Sequence, residues 1–167
     1  MARVFNFNPG PAAMPLSVLK EAQSEFVEYK DTGMSVLEMS HRSPEFEAIN
    51  NDAEATLRRV YGIPDTYAVL FLSGGATLQF AGIPMNLMFH RHAGYLIAGN
   101  WSEKAYEEAK KYGQADVLAS TKDTHFDRYP RLSSPIDQDL DYVYICQNET
   151  VFGTMMRTLP QTGDVPL

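Results

Sequence analysis

The stretch AVLFLSGGATLQFAGIPMNLM, residues 68–88, decides the fold. Its first five residues, 68–72, are mostly apolar and read as a strand, Ser73 to Thr77 read as a turn, and helical character resumes over 76–89. A glycine turn between strand and helix lies at the carboxyl end of the strand, where open α/β sheets bind ligands. The helix N-terminus offers unpaired N–H groups and a partial positive charge, and the pair Gly74-Gly75 lets backbone approach a phosphate closely. Thr77 adds a hydroxyl. Neither the dinucleotide fingerprint G-x-G-x-x-G nor a Walker A lysine is present, so the cradle suits a single phosphate. A tight turn that holds nothing is the plain alternative.

Working outward, the punctuation gives alternating elements. Residues 1–14 read as an extended arm with a Pro9-Gly10-Pro11 turn, because proline fixes φ and pushes its predecessor out of the helical region. Pro15 suits a helix start, and Leu16, Leu19, Phe26 and Val27 fall near helical spacing over 16–30 until Asp31-Thr32-Gly33. A second helix has Ser43 as N-cap, Pro44 as its first residue, and Glu45 and Glu47 at the positive end of its dipole. Phe46, Ile49, Ala53, Leu57 and Val60 form its expected buried stripe, and Gly62-Ile63-Pro64 ends it. Beyond the opening stretch, β-rich runs at 95–98, 115–118 and 142–146 alternate with helical stretches near 76–89 and 101–112. That alternation predicts an α/β fold with a mainly parallel sheet flanked by helices.

Composition narrows the function classes. The chain has 167 residues, 44% hydrophobic and 21% charged, with 9 Phe and 9 Tyr, which excludes disorder. No apolar run approaches the roughly 18 residues of a membrane span, and the N-terminus lacks the apolar core of a signal peptide, so we expect no membrane partner. The single cysteine, Cys146, forms no internal disulfide and fits a reducing cytoplasm; after an apolar strand it is expected to be a small buried hydrophobe. A net charge of −7 argues against nucleic acid as a partner.

Three further stretches carry chemistry. MSHRSPEF (39–46) puts His41 and Arg42 just before the N-cap of the second helix, two donors where an anion would sit. AGNWSEKA (98–105) places the only tryptophan, Trp101, between a strand and a helix, where an indole face covers a flat ring. YICQNETVFG (144–153) ends a strand in Asn148-Glu149-Thr150, again polar groups at a carboxyl end. Each has a bland reading beside it: a solvated surface pair, a core aromatic, an ordinary loop.

Taken together, FNFNPGPAAMP, SVLEMSHRSPEF, VLFLSGGATLQF, GNWSEKAYEEAKKYG and QNETVFGT resemble the N-terminal half of the phosphoserine aminotransferase family, class V enzymes of fold-type I that use pyridoxal 5'-phosphate. The resemblance runs over essentially the whole chain. It implies the first half of a large cofactor-binding domain over 15–167 after the arm 1–14. It also implies a cytoplasmic homodimer of serine biosynthesis that acts on small molecules, converting 3-phosphohydroxypyruvate and glutamate to phosphoserine and 2-oxoglutarate. By the same resemblance Gly75, Ala76 and Thr77 bind the cofactor phosphate, Trp101 stacks on its ring, Thr150 bonds near the ring's phenolic oxygen, and His41 and Arg42 bind the substrate phosphate. Some members carry arginine where this chain has Thr77, so part of the anion charge is met elsewhere.

The Schiff-base lysine and the aspartate that protonates the ring nitrogen are expected beyond Leu167, with the small C-terminal domain, and 163–167 reads as the opening of a further strand. The six lysines present are poor substitutes: Lys20, Lys30, Lys104, Lys110 and Lys111 lie on helical stretches and Lys122 in a polar loop. No catalytic residue is therefore expected within the chain, and by itself it is expected to be inactive. His90-Arg91-His92 and Asp123-His125-Asp127 have metal-like composition but read as polar connections without cysteine support, so no metal is expected. Two other readings stay open: a non-catalytic half-fold that binds anions or dimerises, and another fold-type I enzyme on the same cofactor.

Overall fold

The structure is a computed structural model that describes residues 3–8, 10, 12–133 and 135–167; Pro9 and Pro11 of the expected turn lie outside the described residues. The chain divides into two compact units, Met1–Phe71 and Leu72–Leu167.

In the first unit, α1 spans Leu16–Ser24 and is shorter than the expected 16–30. It closes where the Ser24 hydroxyl donates to the Glu21 carbonyl at 2.8 Å. Lys30 and Asp31 then take φ of 44° and 60°, in the left-handed region that no helix can continue through. The second helix, α2, spans Pro44–Tyr61 and starts as its sequence dictates: Ser43 Oγ accepts the Phe46 N–H at 3.2 Å and Pro44 stands in the first turn. Gly62 ends it, and Arg58 ties the exit down, donating to Glu54 at 2.9 Å and to the Tyr67 carbonyl at 3.0 Å.

Two expectations fail in this part of the chain. The stripe Phe46, Ile49, Ala53, Leu57 and Val60 is not buried: no residue of α2 is, and Val60 is 64% exposed. Helical spacing gathers apolar side chains on one face, but only an opposing surface removes them from water. Residues 68–72 form no strand, and Leu70 and Leu72 are 70% and 65% exposed. A strand exists only through its ladder, and among the described residues none pairs with this run.

The second unit holds α3 (Gly75–Leu87), β1 (His92–Ile97), α4 (Asn100–Ala109), β2 (Gln114–Ser120), β3 (Val143–Tyr144), β4 (Asn148–Glu149) and β5 (Thr154–Met155). Strands β2, β1 and β3 form a sheet in that order, parallel throughout, while β4 and β5 pair antiparallel. The expected strand at 142–146 shrinks to two residues in β3. Its other edge is used too: the Val143 N–H donates to the Pro166 carbonyl at 2.8 Å, while the Tyr142 carbonyl accepts from Gly94 at 3.0 Å.

Central position explains why β1 is the most apolar strand. Ala93, Tyr95 and Ile97 join Ala105 and Ala109 of α4, with Phe126 and Tyr142, on one face; Leu96 joins Leu140, Val143, Met156 and Val165 on the other. Gly94 is required by this packing, since a Cβ there would stand 2.5 Å from Leu118 Cδ1. Among the described residues no helix is long and apolar enough to cross a membrane.

Candidate functional site

The cradle at the start of α3 forms although the preceding strand does not. Gly74 and Gly75 take φ of 91° and 60°, and a Cβ on Gly74 would stand 2.7 Å from Leu78 Cδ2. Only glycine fits. The first helical bond returns from the Leu78 N–H to the Gly74 carbonyl at 3.3 Å, so the N–H groups of Gly75, Ala76 and Thr77 have no carbonyl of their own helix to face. No side chain caps this end, and its first turn holds no acidic residue.

The start of α4 is built the opposite way. Glu149, fully buried, aims its carboxylate at the helix N-terminus and accepts the Trp101 N–H at 3.0 Å and the Ser102 N–H at 3.4 Å. Ser102 Oγ accepts the Ala98 N–H at 2.9 Å and completes the turn. Gly99 makes room, because a Cβ there would fall inside the Glu149 side chain. Of the two α-helices of the second unit, α4 therefore already holds its anion and α3 remains open to one.

Beside Glu149, Thr150 meets the same tryptophan. The Trp101 Nε1–H donates to Thr150 Oγ1 at 2.9 Å, and the Lys104 ammonium stands 4.9 Å from the indole centroid. Thr77 lines a cavity of about 430 Å³ with Asn100 and Lys104 and with the acidic Glu103, Glu107 and Glu108 of α4; Trp101 and Thr150 are not part of its lining. The second unit thus brings together Trp101 and Thr150 from two separate stretches. Sequence reading grouped Glu149 with its polar neighbours and missed its part; the signal was a carboxylate inside QNET opposite a glycine ahead of the only tryptophan.

His41 and Arg42 belong to the first unit. Both are exposed, in a turn closed by the Ser43 N–H donating to the Ser40 carbonyl at 2.9 Å, while the Arg42 N–H meets Ser40 Oγ at 3.2 Å. The adjoining helix start is capped by Ser43 and carries Glu45 and Glu47, so any anion here is held by the two side chains rather than by the helix end.

The remaining groups are occupied structurally. Lys110, Lys111 and Lys122 pair with Glu107, Glu108 and Glu103, and those hydrogen bonds raise each ammonium above its ordinary value. Lys30 lies in a turn, and Lys110 and Lys111 just beyond α4, rather than on helices. His92 begins β1 instead of lying in a loop; it bonds Asp116 at 2.7 Å, which lowers that carboxyl, while His90 bonds a different aspartate, Asp141, at 2.8 Å. No group of three or more potential metal ligands forms among the described residues. Cys146 is half-buried rather than buried, since the strand expected to enclose it ends at Tyr144; partial burial still pushes its thiol up.

Residues 4–165 match the family described as Aminotransferase class-V. The phosphoserine aminotransferase of Lysinibacillus sphaericus (strain C3-41) is 48% identical over 167 residues, covering 99% of this chain and 46% of that protein. The solved structure of the phosphoserine aminotransferase from Bacillus circulans subsp. alkalophilus superposes with a TM-score of 0.90 at 44% identity, over 98% of this chain and 46% of that one. A PLP-bound phosphoserine aminotransferase from Trichomonas vaginalis superposes with a TM-score of 0.82 at 32% identity, over 95% and 46%. The chain spans about half the length of the relatives it matches and, with the family match running nearly end to end, it belongs to the class-V aminotransferases.

Proposed function

We propose that the chain supplies the phosphate-binding and ring-stacking part of a phosphoserine:2-oxoglutarate aminotransferase whose cofactor is pyridoxal 5'-phosphate. The observation that carries this is the contrast between two helix N-termini: α4 is neutralised by Glu149, whereas α3 presents uncapped N–H groups behind Gly74-Gly75. The residues present fit the group. Gly75, Ala76 and Thr77 offer backbone donors and a hydroxyl to its phosphate, Trp101 an indole face to its ring, and Thr150 a hydroxyl to the ring's phenolic oxygen. When bound, the cofactor supplies an electron sink for negative charge at the carbon bearing the amino group.

His41 and Arg42 take the substrate phosphate, with the guanidinium fork matching its oxygens. Four of the six lysines are engaged elsewhere: Lys110, Lys111 and Lys122 pair with glutamates, and Lys104 stands over the Trp101 ring. The arm favours a homodimer, since Phe5 and Phe7 are 91% and 89% exposed, and the lone cysteine favours the cytoplasm.

Titration of the purified chain with pyridoxal phosphate, followed by Trp101 emission, tests the site. Quenching is expected, and its absence overturns the cofactor assignment. Borohydride reduction with peptide mapping is expected to label no single lysine. Specific labelling together with turnover of phosphoserine would show that a catalytic lysine lies within the chain.

A further inference from the structure

A fully buried carboxylate is costly unless its oxygens are bonded, and Glu149 has no cationic partner among the described residues. What it has instead is one side of Trp101. Glu149 takes the tryptophan's backbone N–H while the next residue, Thr150, takes its indole N–H, so consecutive residues at the end of β4 grip both the main chain and the side chain.

The hydrogens settle the polarity of that grip. Indole Nε1 donates only, so Thr150 Oγ1 must accept, and the single hydroxyl hydrogen of Thr150 is left to point elsewhere. Thr150 becomes a donor toward any ring oxygen that approaches. Lys104 stands over one side of the indole.

We propose that Glu149 is the positioning residue for the cofactor ring: it orients Trp101, and through Trp101 fixes Thr150 as a donor to the ring's phenolic oxygen. This rests on the cofactor reading above.

Glu149→Gln keeps the shape but turns one acceptor into a donor facing a helix N–H. Two probes separate ring from phosphate: pyridoxal phosphate, read by Trp101 quenching, and inorganic phosphate, read by calorimetry. The expected result is an about tenfold rise in the pyridoxal phosphate Kd, an unchanged inorganic phosphate Kd, and an altered near-UV circular dichroism band of unliganded Trp101. Equal pyridoxal phosphate affinity in wild type and variant overturns the proposal and leaves the cofactor reading standing. An equal loss for both probes also overturns it, as the mark of a purely structural role. Failure of the wild-type chain to bind pyridoxal phosphate overturns the reading and the proposal together. Thr150 is exposed and carries the same test if Glu149→Gln does not fold: Thr150→Val should reproduce the loss and Thr150→Ser restore binding, and an unaffected Thr150→Val overturns the proposal.

Discussion

The carboxylate of Asp141 holds His90 from two sides, accepting its backbone N–H at 2.9 Å and its Nδ1–H at 2.8 Å. It also accepts the His92 N–H at 3.1 Å, and its side chain is only 1% exposed. The clasp pins the entry of β1 to the entry of β3, at the end of the sheet opposite the glycine cradle.

Asp141→Asn should therefore destabilise the chain by about 1.5–3 kcal/mol at neutral pH, the range for hydrogen bonds to a charged group. Burial pushes the Asp141 carboxyl up, but the backbone bonds from His90 and His92 and the His90 ring outweigh it and hold it below its ordinary value. A carboxyl lowered by folding stabilises the fold above its unfolded pKa of about 4 and ceases to do so as pH falls through the folded one. Urea unfolding of wild type and variant should show the full gap at pH 7 and a closing gap below about pH 4.

Gly94→Ala should cost about 1–3 kcal/mol, because the added methyl stands 2.5 Å from Leu118 Cδ1 and 3.1 Å from Leu140 Cδ1 in a core with both faces filled. The same unfolding measurement checks it. A cost below about 0.5 kcal/mol would mean that β1 and Leu118 are not packed as described.

Gly74→Ala meets both a positive φ of 91° and the Leu78 side chain. It should lower stability by about 1 kcal/mol or more and weaken inorganic phosphate binding in calorimetry. Retained phosphate affinity would move the anion site away from the start of α3.

Arg42→Ala removes an exposed side chain and should change stability by less than about 0.5 kcal/mol. Under the proposed function, calorimetric titration with phosphoserine should weaken by about tenfold or more, the value of one charge-assisted contact. Unchanged affinity would take Arg42 out of the substrate site.

Much of the local structure was legible in the residues themselves. The start of α2 follows from Ser43 and Pro44, its end from Gly62, and the cradle from Gly74-Gly75, because caps and positive φ are decided within a few residues. The apolar run 95–98 marked a strand, which the structure extends to His92–Ile97. The family motifs added Trp101 and Thr150 as candidates without saying how they meet.

What the sequence by itself determined, then, is where α2 begins and ends, where a glycine turn opens α3 and which family the motifs resemble. Tertiary structure alone decided that 68–72 carries no ladder, that the apolar face of α2 is at most half-buried, and that Glu149 is buried with its carboxylate on the Trp101 backbone N–H. The physical reason is range. Backbone torsions and caps answer to neighbours in the chain, whereas strand pairing and desolvation answer to partners far along it, as Glu149 lies 48 residues from the N–H group it accepts.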